Sequence, residues 1–354
     1  MIKSKNITIL GSGISGLGSA KLANKLGLNV FVSDNNIIGE KIKKYLNENK
    51  IGFEENGHDI QRLLSADQVI ISPGISFVDL KKRYPEINKE KFISEIEFAS
   101  RFTNAYLIAV TGSNGKTTTA SLIYHILKSS GFNVGLAGNI GVSFAESVCN
   151  FTYDFYVLEV SSFQLDHISS FRPNISIITN ISADHLDRYD YKFENYVKSK
   201  YRIVKNQKNE DYFIYNGNCI VTKKILKTIK INSKILSFSL SKNQDKHSQI
   251  YLDKNHINSL LNKKKFMLST NKIPVKGKHN LQNSMAAISV AQILKISDEK
   301  IKESFKTFKS IPHRLEHFLT IQKVKYINDS KATNVNSVFL SLIHISEPTR
   351  PLII

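Results

Sequence analysis

The chain is predicted to be an α/β protein built from a Rossmann-like first domain, a central parallel-sheet domain of the P-loop type, and the beginning of a third unit. Three observations carry that prediction. Apolar strands alternate with helix-compatible segments along most of the 354 residues, the arrangement that covers a parallel sheet on both faces. Two strands run into glycine-rich turns that open helices, one at Gly11 and one at Gly112. Acidic residues and a histidine then sit at the ends of later apolar strands, where parallel sheets bind ligands.

The first domain is expected over 1–93. It opens with a strand at 6–10, a turn at 11–16, a helix at 17–26 and a strand at 30–33 with Asp34 at its tip, which is half of a dinucleotide-type unit. A helix at 41–49 and a strand at 68–72, closed by Pro73-Gly74, continue the alternation. Gly11-Ser12-Gly13-Ile14-Ser15-Gly16 is G-x-G-x-x-G in strand and helix context, and Asp34 follows where a ribose hydroxyl would be held. Alone, this reads as an NAD site. The same geometry holds the diphosphate of any nucleotide-linked substrate, and a tight structural turn remains the plain alternative.

The second domain is expected over 94–310, entered by a short helix around Ser94-Glu95-Ile96-Glu97. Its strands are predicted at 105–110, 134–137, 155–159, 175–180 and 212–215, with short hairpins between 241 and 272 and an Ala-rich helix at 282–294. The run Thr111-Gly112-Ser113-Asn114-Gly115-Lys116-Thr117-Thr118 joins the first of these strands to a helix. Glycines let backbone N–H groups approach an anion, the helix start adds positive potential, Lys116 supplies a cation and Thr117 a hydroxyl for an accompanying magnesium ion. The usual G-x-x-x-x-G-K-[ST] spacing asks for glycine at 110, where this chain has Val110, so the loop is a variant. It points to a bound triphosphate without naming which one, and an NAD enzyme accounts for it badly.

Glu159 closes the strand at 155–159, and Asp184-His185 follows the strand at 175–180. Such groups near a Lys-Thr phosphate loop can hold magnesium between phosphate oxygens, although each alone is more often a surface polar residue. Lys200 falls in a helix predicted at 193–206 beside Lys198 and Lys205 and reads as one solvated lysine among many. His279-Asn280, with Asn283, opens the Ala-rich helix and reads as a cap.

Composition narrows the class. At 41% hydrophobic and 22% charged residues the chain fits a soluble globular protein. Forty-nine Lys+Arg against 30 Asp+Glu give +19, which raises a nucleic-acid partner as a rival. The lysines are spread along the whole chain and form no basic stripe interleaved with aromatics, so no nucleic acid is expected. Cys149 and Cys219 cannot form a disulfide framework for a chain this size, so a reducing cytoplasm is expected. Lys3 and Lys5 before an apolar run mimic a signal peptide, but the glycines from 11 to 18 break its hydrophobic region. No segment approaches the ~20 apolar residues of a membrane span.

Seven motifs occur in a shared order: TGSNGKTT (111–118), GNIG (138–141), LEVSSFQL (158–165), DHLDRY (184–189), KHNLQN (278–283), PHRLE (312–316) and NDSKATN (328–334). Together they resemble the Mur ligases, ATP-dependent amino-acid-adding enzymes of peptidoglycan synthesis. NDSKATN and the preceding HRLE resemble the branch that adds D-glutamate to UDP-N-acetylmuramoyl-L-alanine; a sister ligase that adds another amino acid is the nearest alternative. The resemblance implies that ATP phosphorylates the substrate carboxylate, that the D-glutamate amine attacks the acyl phosphate, and that magnesium accompanies the nucleotide.

By the same resemblance, Gly112, Ser113, Asn114, Gly115, Lys116, Thr117 and Thr118 hold the ATP phosphates, with Asn280, Asn283, Arg314, Asp329 and Lys331 on the ATP side of the cleft. Thr117 and Glu159 serve one magnesium; His185 and Lys200 serve a second, with Lys200 matching a lysine that is carbamylated in the family. Lys116, His185 and Lys200 are the implied catalytic group. The substrate side comprises Gly13, Ile14, Ser15, Asp34, Asn35, Ser72, Gly74, Asn139, Ser161, Gln164 and His185. A cytoplasmic monomer is expected.

A third, Rossmann-like domain is expected to begin at 311 and to be cut short at 339, because residues 340–350 (LSLIHISEPTR) resemble the in-frame translation of a sequencing-library adaptor. On that expectation 340–354 is a non-native tail and the chain binds the UDP substrate with weak or no ligation, as a nucleotide-binding fragment. Sequencing the locus beyond 339 tests it: a native frame continuing through Leu340 would sink the idea.

Overall fold

The computed structural model describes residues 5–242, 247–261, 265–275, 277–309, 316–321, 324–328 and 338. The first sheet contains β1 (Asn6–Leu10), β2 (Asn29–Ser33), β3 (Gly52–Glu54), β4 (Gln68–Ile71) and β5 (Phe92–Ser94). They are all parallel in the order β3-β2-β1-β4-β5. Ile7, Ile9, Val32, Val69 and Ile70 are buried because helices lie on both faces, each such side chain contributing about 1.5–3 kcal/mol. Strands β3 and β5, each three residues long, are too short to carry a readable periodicity and were not expected.

The second sheet holds nine strands: β6 (Tyr106–Thr111), β7 (Val134–Gly138), β8 (Phe155–Glu159), β9 (Ile175–Ile178), β10 (Tyr212–Asn216), β11 (Lys234–Ser239), β12 (Ser248–Asp253), β13 (His256–Ser259) and β14 (Phe266–Ser269). Their order is β14-β13-β12-β11-β10-β9-β6-β8-β7. From β7 to β12 neighbouring strands are parallel, while β12, β13 and β14 form an antiparallel meander, which places the hairpins expected between 241 and 272. A separate hairpin pairs β15 (Glu316–Ile321) with β16 (Val324–Asn328).

Several boundaries move for physical reasons. Strand β9 ends at Ile178, two residues early, because the backbone at Thr179-Asn180 turns to meet the phosphate loop. The helix expected at 193–206 is α-helical only over Phe193–Tyr201 and tightens to a 3-10 turn at Arg202–Val204. The Ala-rich helix begins early, at Lys278, and runs to Ile293, with Gly277 at its N-cap. Asn280 therefore lies in the first turn, and the capping expectation for His279-Asn280 is corrected.

The two sheets are tied through the helix Glu95–Ser100. Glu97 is fully buried and accepts the backbone N–H groups of Ser169 at 3.0 Å, Ser170 at 3.0 Å and Phe171 at 2.7 Å, together with the Arg101 guanidinium at 2.8 Å. Burial pushes its carboxyl up, but these donors outweigh burial and leave it below the usual range. Glu95 accepts the backbone N–H of Ala145, and burial raises it to about 7. Lys21 and Glu146 pair across the same interface at 2.5 Å. Cys149 and Cys219 are free, and among the described residues no helix is long and apolar enough to cross a membrane.

Candidate functional site

The register of the second sheet assembles one site from distant segments. β6 lies between β8 and β9, with Val110 opposite Glu159 and Thr111 opposite Ile178, so three strand tips meet at one edge. The loop leaving β6 opens the helix Lys116–Ser129. Gly112 has φ +147°, and a Cβ there would stand 2.0 Å from Thr179 Oγ1. A side chain therefore cannot be accommodated at this position without breaking the loop.

What fixes the loop is a pair of residues the sequence did not single out. Asn180 forms a two-point pairing with the Asn114 backbone: its Oδ1 accepts the N–H and its Nδ2 donates to the carbonyl, both at 2.9 Å. Thr179 Oγ1 adds a third bond to that carbonyl at 2.6 Å. Ser113 is held in turn, donating to the Ser182 carbonyl at 2.8 Å and sharing a 3.0 Å bond with the Tyr196 hydroxyl. From the far side Asn283 Oδ1 accepts from Thr119 Oγ1 at 3.2 Å and Asn283 Nδ2 donates to Asn280 Oδ1 at 3.1 Å. Asn283 thus stands against Gly115 and Thr119 at the start of the loop's helix, with Asn280 behind it, and Thr117 and Thr118 are buried in the same turn.

Lys116 Nζ folds back over the loop and donates to the Gly112 and Ser113 carbonyls, each at 3.0 Å. Lys200 Nζ reaches the same Gly112 carbonyl at 2.9 Å and stands 4.6 Å from the Tyr196 ring centre. It is only 2% exposed, which corrects its reading as a solvated lysine. Burial, and then the neighbouring Lys116 charge, hold its ammonium well below the usual lysine range. The neutral amine is thereby favoured.

On the other flank Glu159 is buried at the tip of β8. Its Oε1 accepts from Asn139 Nδ2 at 3.0 Å, and Oε2 has no hydrogen-bond partner among the described residues. A buried carboxylate oxygen without a donor is costly unless a cation takes it up, so the donor set fits a magnesium ion beside the phosphate loop. Asn139 also donates its N–H to the Glu159 carbonyl at 2.8 Å, placing it against this carboxylate. Among the described residues no three His, Cys, Asp or Glu side chains cluster as a ready-made metal cage, which suits an ion held partly by phosphate oxygens.

His185 begins the 3-10 turn Leu186–Tyr189 with φ +50°, largely exposed, its ring 5.2 Å from that of Phe163 and Nε2 3.8 Å from Asp184 Oδ2. Ser161 and Gln164 are engaged with each other in a capping box at Ser162–Leu165, and Gln164 is buried. Gln164 Oε1 accepts the Ser161 N–H at 2.9 Å and the Ser161 hydroxyl at 3.1 Å.

The first glycine turn has a different character. Asp34 Oδ2 accepts the Ser12 N–H at 2.6 Å and the Ser12 hydroxyl at 2.7 Å, and Oδ1 accepts the Asn36 N–H at 2.9 Å. Burial pushes the Asp34 carboxyl up, yet these bonds prevail and hold it below the ordinary value. Gly13 and Ile14 are exposed, Ser15 is half-buried and Asn35 is exposed. Ser72 Oγ donates to the Gly11 carbonyl at 3.4 Å, and Gly74 is exposed on the next turn. Arg314, Asp329 and Lys331, and the expected tail at 340–354, lie outside the described residues.

Both sheets have counterparts among known proteins. The Mur ligase middle domain family matches residues 110–291, the segment that carries the phosphate loop, Glu159, His185, Lys200 and Asn283. Residues 110–291 form the middle domain of a Mur ligase. The MurD N-terminal domain family matches residues 6–79. A UDP-N-acetylmuramoylalanine–D-glutamate ligase of Christiangramia forsetii is 45% identical over 350 residues, spanning 98% of this chain and 77% of the relative. The one of Porphyromonas gingivalis is 41% identical over 338 residues, spanning 95% and 75%. Among solved structures, UDP-N-acetylmuramate–alanine ligase from Thermotoga maritima matches with TM-score 0.57 at 19% identity over 96% of this chain and 77% of that one. A pseudomurein peptide ligase from Methanothermus fervidus gives 0.58 at 22% identity over 98% and 78%. The chain belongs to the UDP-N-acetylmuramoylalanine–D-glutamate ligase family.

Proposed function

We propose that this protein is an ATP-dependent ligase that joins D-glutamate to UDP-N-acetylmuramoyl-L-alanine during peptidoglycan precursor synthesis, acting in the cytoplasm as a monomer. The observation that carries the reading is the edge of the second sheet, where two lysines converge on the Gly112 carbonyl beside a buried carboxylate oxygen that has no donor among the described residues. Phosphates entering there would draw Lys116 off the loop carbonyls and take up the backbone N–H groups that the glycines expose. Clamping the transferring phosphoryl group in this way is the main rate term in such chemistry.

Thr117, Glu159, His185 and a carbamylated Lys200 would hold magnesium, which when bound neutralises the phosphate charge. The depressed pKa of Lys200 supports carbamylation, since only a free amine attacks carbon dioxide. The new N–C bond forms as one C=O π bond of carbon dioxide opens and the nitrogen releases a proton, so that a buried neutral amine becomes a carbamate anion. The Gly11 turn with Asp34 and Asn35, and the Ser72 to Gly74 segment, are proposed to receive the UDP and muramoyl parts. The nucleophilic amine of D-glutamate then displaces phosphate from the acyl phosphate.

The test is ADP formation that requires both UDP-N-acetylmuramoyl-L-alanine and D-glutamate, accompanied by titration of the UDP substrate alone. L-Glutamate, L-alanine and meso-diaminopimelate should not replace D-glutamate. ADP formation driven by one of them would assign a sister ligase. Tight nicotinamide-nucleotide binding without affinity for the UDP substrate would overturn the reading altogether.

A further inference from the structure

Arg188 belongs to the 3-10 turn that begins at His185, yet its guanidinium crosses to the first sheet. It donates to the Ile75 carbonyl at 3.0 Å and to the Pro73 and Gly74 carbonyls at 3.4 Å each. These three carbonyls form the outer side of the turn after β4. The inner side of that turn is fastened to the first glycine loop, because Ser72 N–H donates to the Leu10 carbonyl at 3.0 Å and Ser72 Oγ to that of Gly11. The guanidinium carbon also lies 4.4 Å from the centre of the Phe163 ring, whose other neighbours are the His185 ring at 5.2 Å and the Tyr189 ring at 6.1 Å.

One side chain therefore touches both halves of the proposed cleft. Three converging main-chain oxygens and an aromatic face match the planar fork of an arginine and not the point charge of a lysine. Among the described residues its hydrogen bonds go only to these carbonyls, so no carboxylate draws it away from them. We propose that Arg188 is a positioning residue that couples the UDP-substrate turn at Ser72 to Ile75 with the His185 shelf of the nucleotide site, so that filling one half-site tightens the other. This rests on the assignment of the two half-sites under the proposed function.

Calorimetric titration tests it, using UDP-N-acetylmuramoyl-L-alanine and magnesium-ADP, each alone and each in the presence of the other. The wild-type chain is expected to bind either ligand about tenfold more tightly when the other is present, within the usual range for coupled sites. In Arg188→Met that factor should fall to about one while magnesium-ADP alone binds as in the wild type, and Arg188→Lys should restore only a small part of it. A purely structural brace would lower thermal stability and leave the coupling factor in place. Full coupling in Arg188→Met, or none in a wild-type chain that binds both ligands, overturns the proposal and leaves the assigned function intact. A wild-type chain that fails to bind either ligand overturns both.

Discussion

The two glycine turns occupy equivalent places, each leaving an inner strand of a parallel sheet and opening a helix, but they are closed by opposite charges. At the first, the Asp34 carboxylate takes up the Ser12 N–H and hydroxyl. At the second, Lys116 and Lys200 both point at the Gly112 carbonyl. A turn closed by an anion offers a partly neutralised cradle with a hydroxyl acceptor beside it, suited to a diphosphate ester carrying sugar. One closed by the Lys116 cation, with the buried amine of Lys200 behind it, has charge to give a triphosphate. Backbone geometry makes both turns anion sites; the side chains that close them choose the anion.

Breaking the second turn should have the largest effect. Gly112→Ala places a methyl group 2.0 Å from Thr179 Oγ1 and 3.1 Å from the Asn180 carbonyl at a φ of +147°. Strain and overlap together should cost about 3–4 kcal/mol, measured by urea unfolding, with nucleotide binding lost. Wild-type stability in this variant would show that the loop is not held by Thr179 and Asn180. Next in size is Lys116→Ala, expected to weaken magnesium-ADP binding about 100-fold, as removal of a charged phosphate donor does. Binding of the UDP substrate should stay within about twofold of wild type, since among the described residues the two turns share no hydrogen-bond partner. Equal loss of both ligands would mean that the two turns serve one ligand.

How much of this could be read from the sequence depended on whether the chemistry is local. The glycine turns, Lys116, Thr117 and Glu159 stand at strand ends visible as apolar runs, so their placement was legible. Lys200 was not, because its helix carries two further lysines and only packing against Tyr196 and the loop buries it. Asn180 and Thr179 were not legible, because a strand read over 175–180 runs through them, whereas the backbone bends there to meet Asn114. The signal was present in the two polar residues that follow Ile175–Ile178, an awkward end for a buried strand. Arg188 could be quoted as part of a motif, but its contact with a turn 113 residues away has no trace in local sequence.

Smaller perturbations separate the turns further. Asp34→Asn gives up a charged acceptor of three hydrogen bonds and should destabilise the protein by about 1–2 kcal/mol at neutral pH. The sign of its pH dependence follows from a carboxyl held below its ordinary value of 3.8. The wild-type advantage is present above that value and fades as pH falls through the lower folded-state pKa, so urea midpoints of the two proteins should converge below about pH 4. A gap that stays constant to pH 3 would place the stabilisation in shape and not in charge.

The smallest effect on stability, and the sharpest on the comparison, belongs to Gly13. Its backbone has φ −68° and ψ −167°, which any residue adopts, and an added Cβ meets nothing within 4 Å. Gly16, three residues on, would drive a Cβ to 1.7 Å from the Gly11 carbonyl, so the glycine there is needed for packing. Packing gives no such reason at Gly13. If glycine stands at 13 to leave room for a diphosphate at the start of the helix Ile14–Lys25, then Gly13→Ala should unfold within about 0.5 kcal/mol of wild type. It should nevertheless bind the UDP substrate roughly tenfold more weakly, because the methyl group fills the space through which the backbone approaches the phosphates. Magnesium-ADP binding, at the other turn, should not move. Unchanged UDP-substrate affinity in a stable Gly13→Ala protein would mean that the first turn only connects a strand to a helix, and the diphosphate would have to be sought elsewhere on the first sheet.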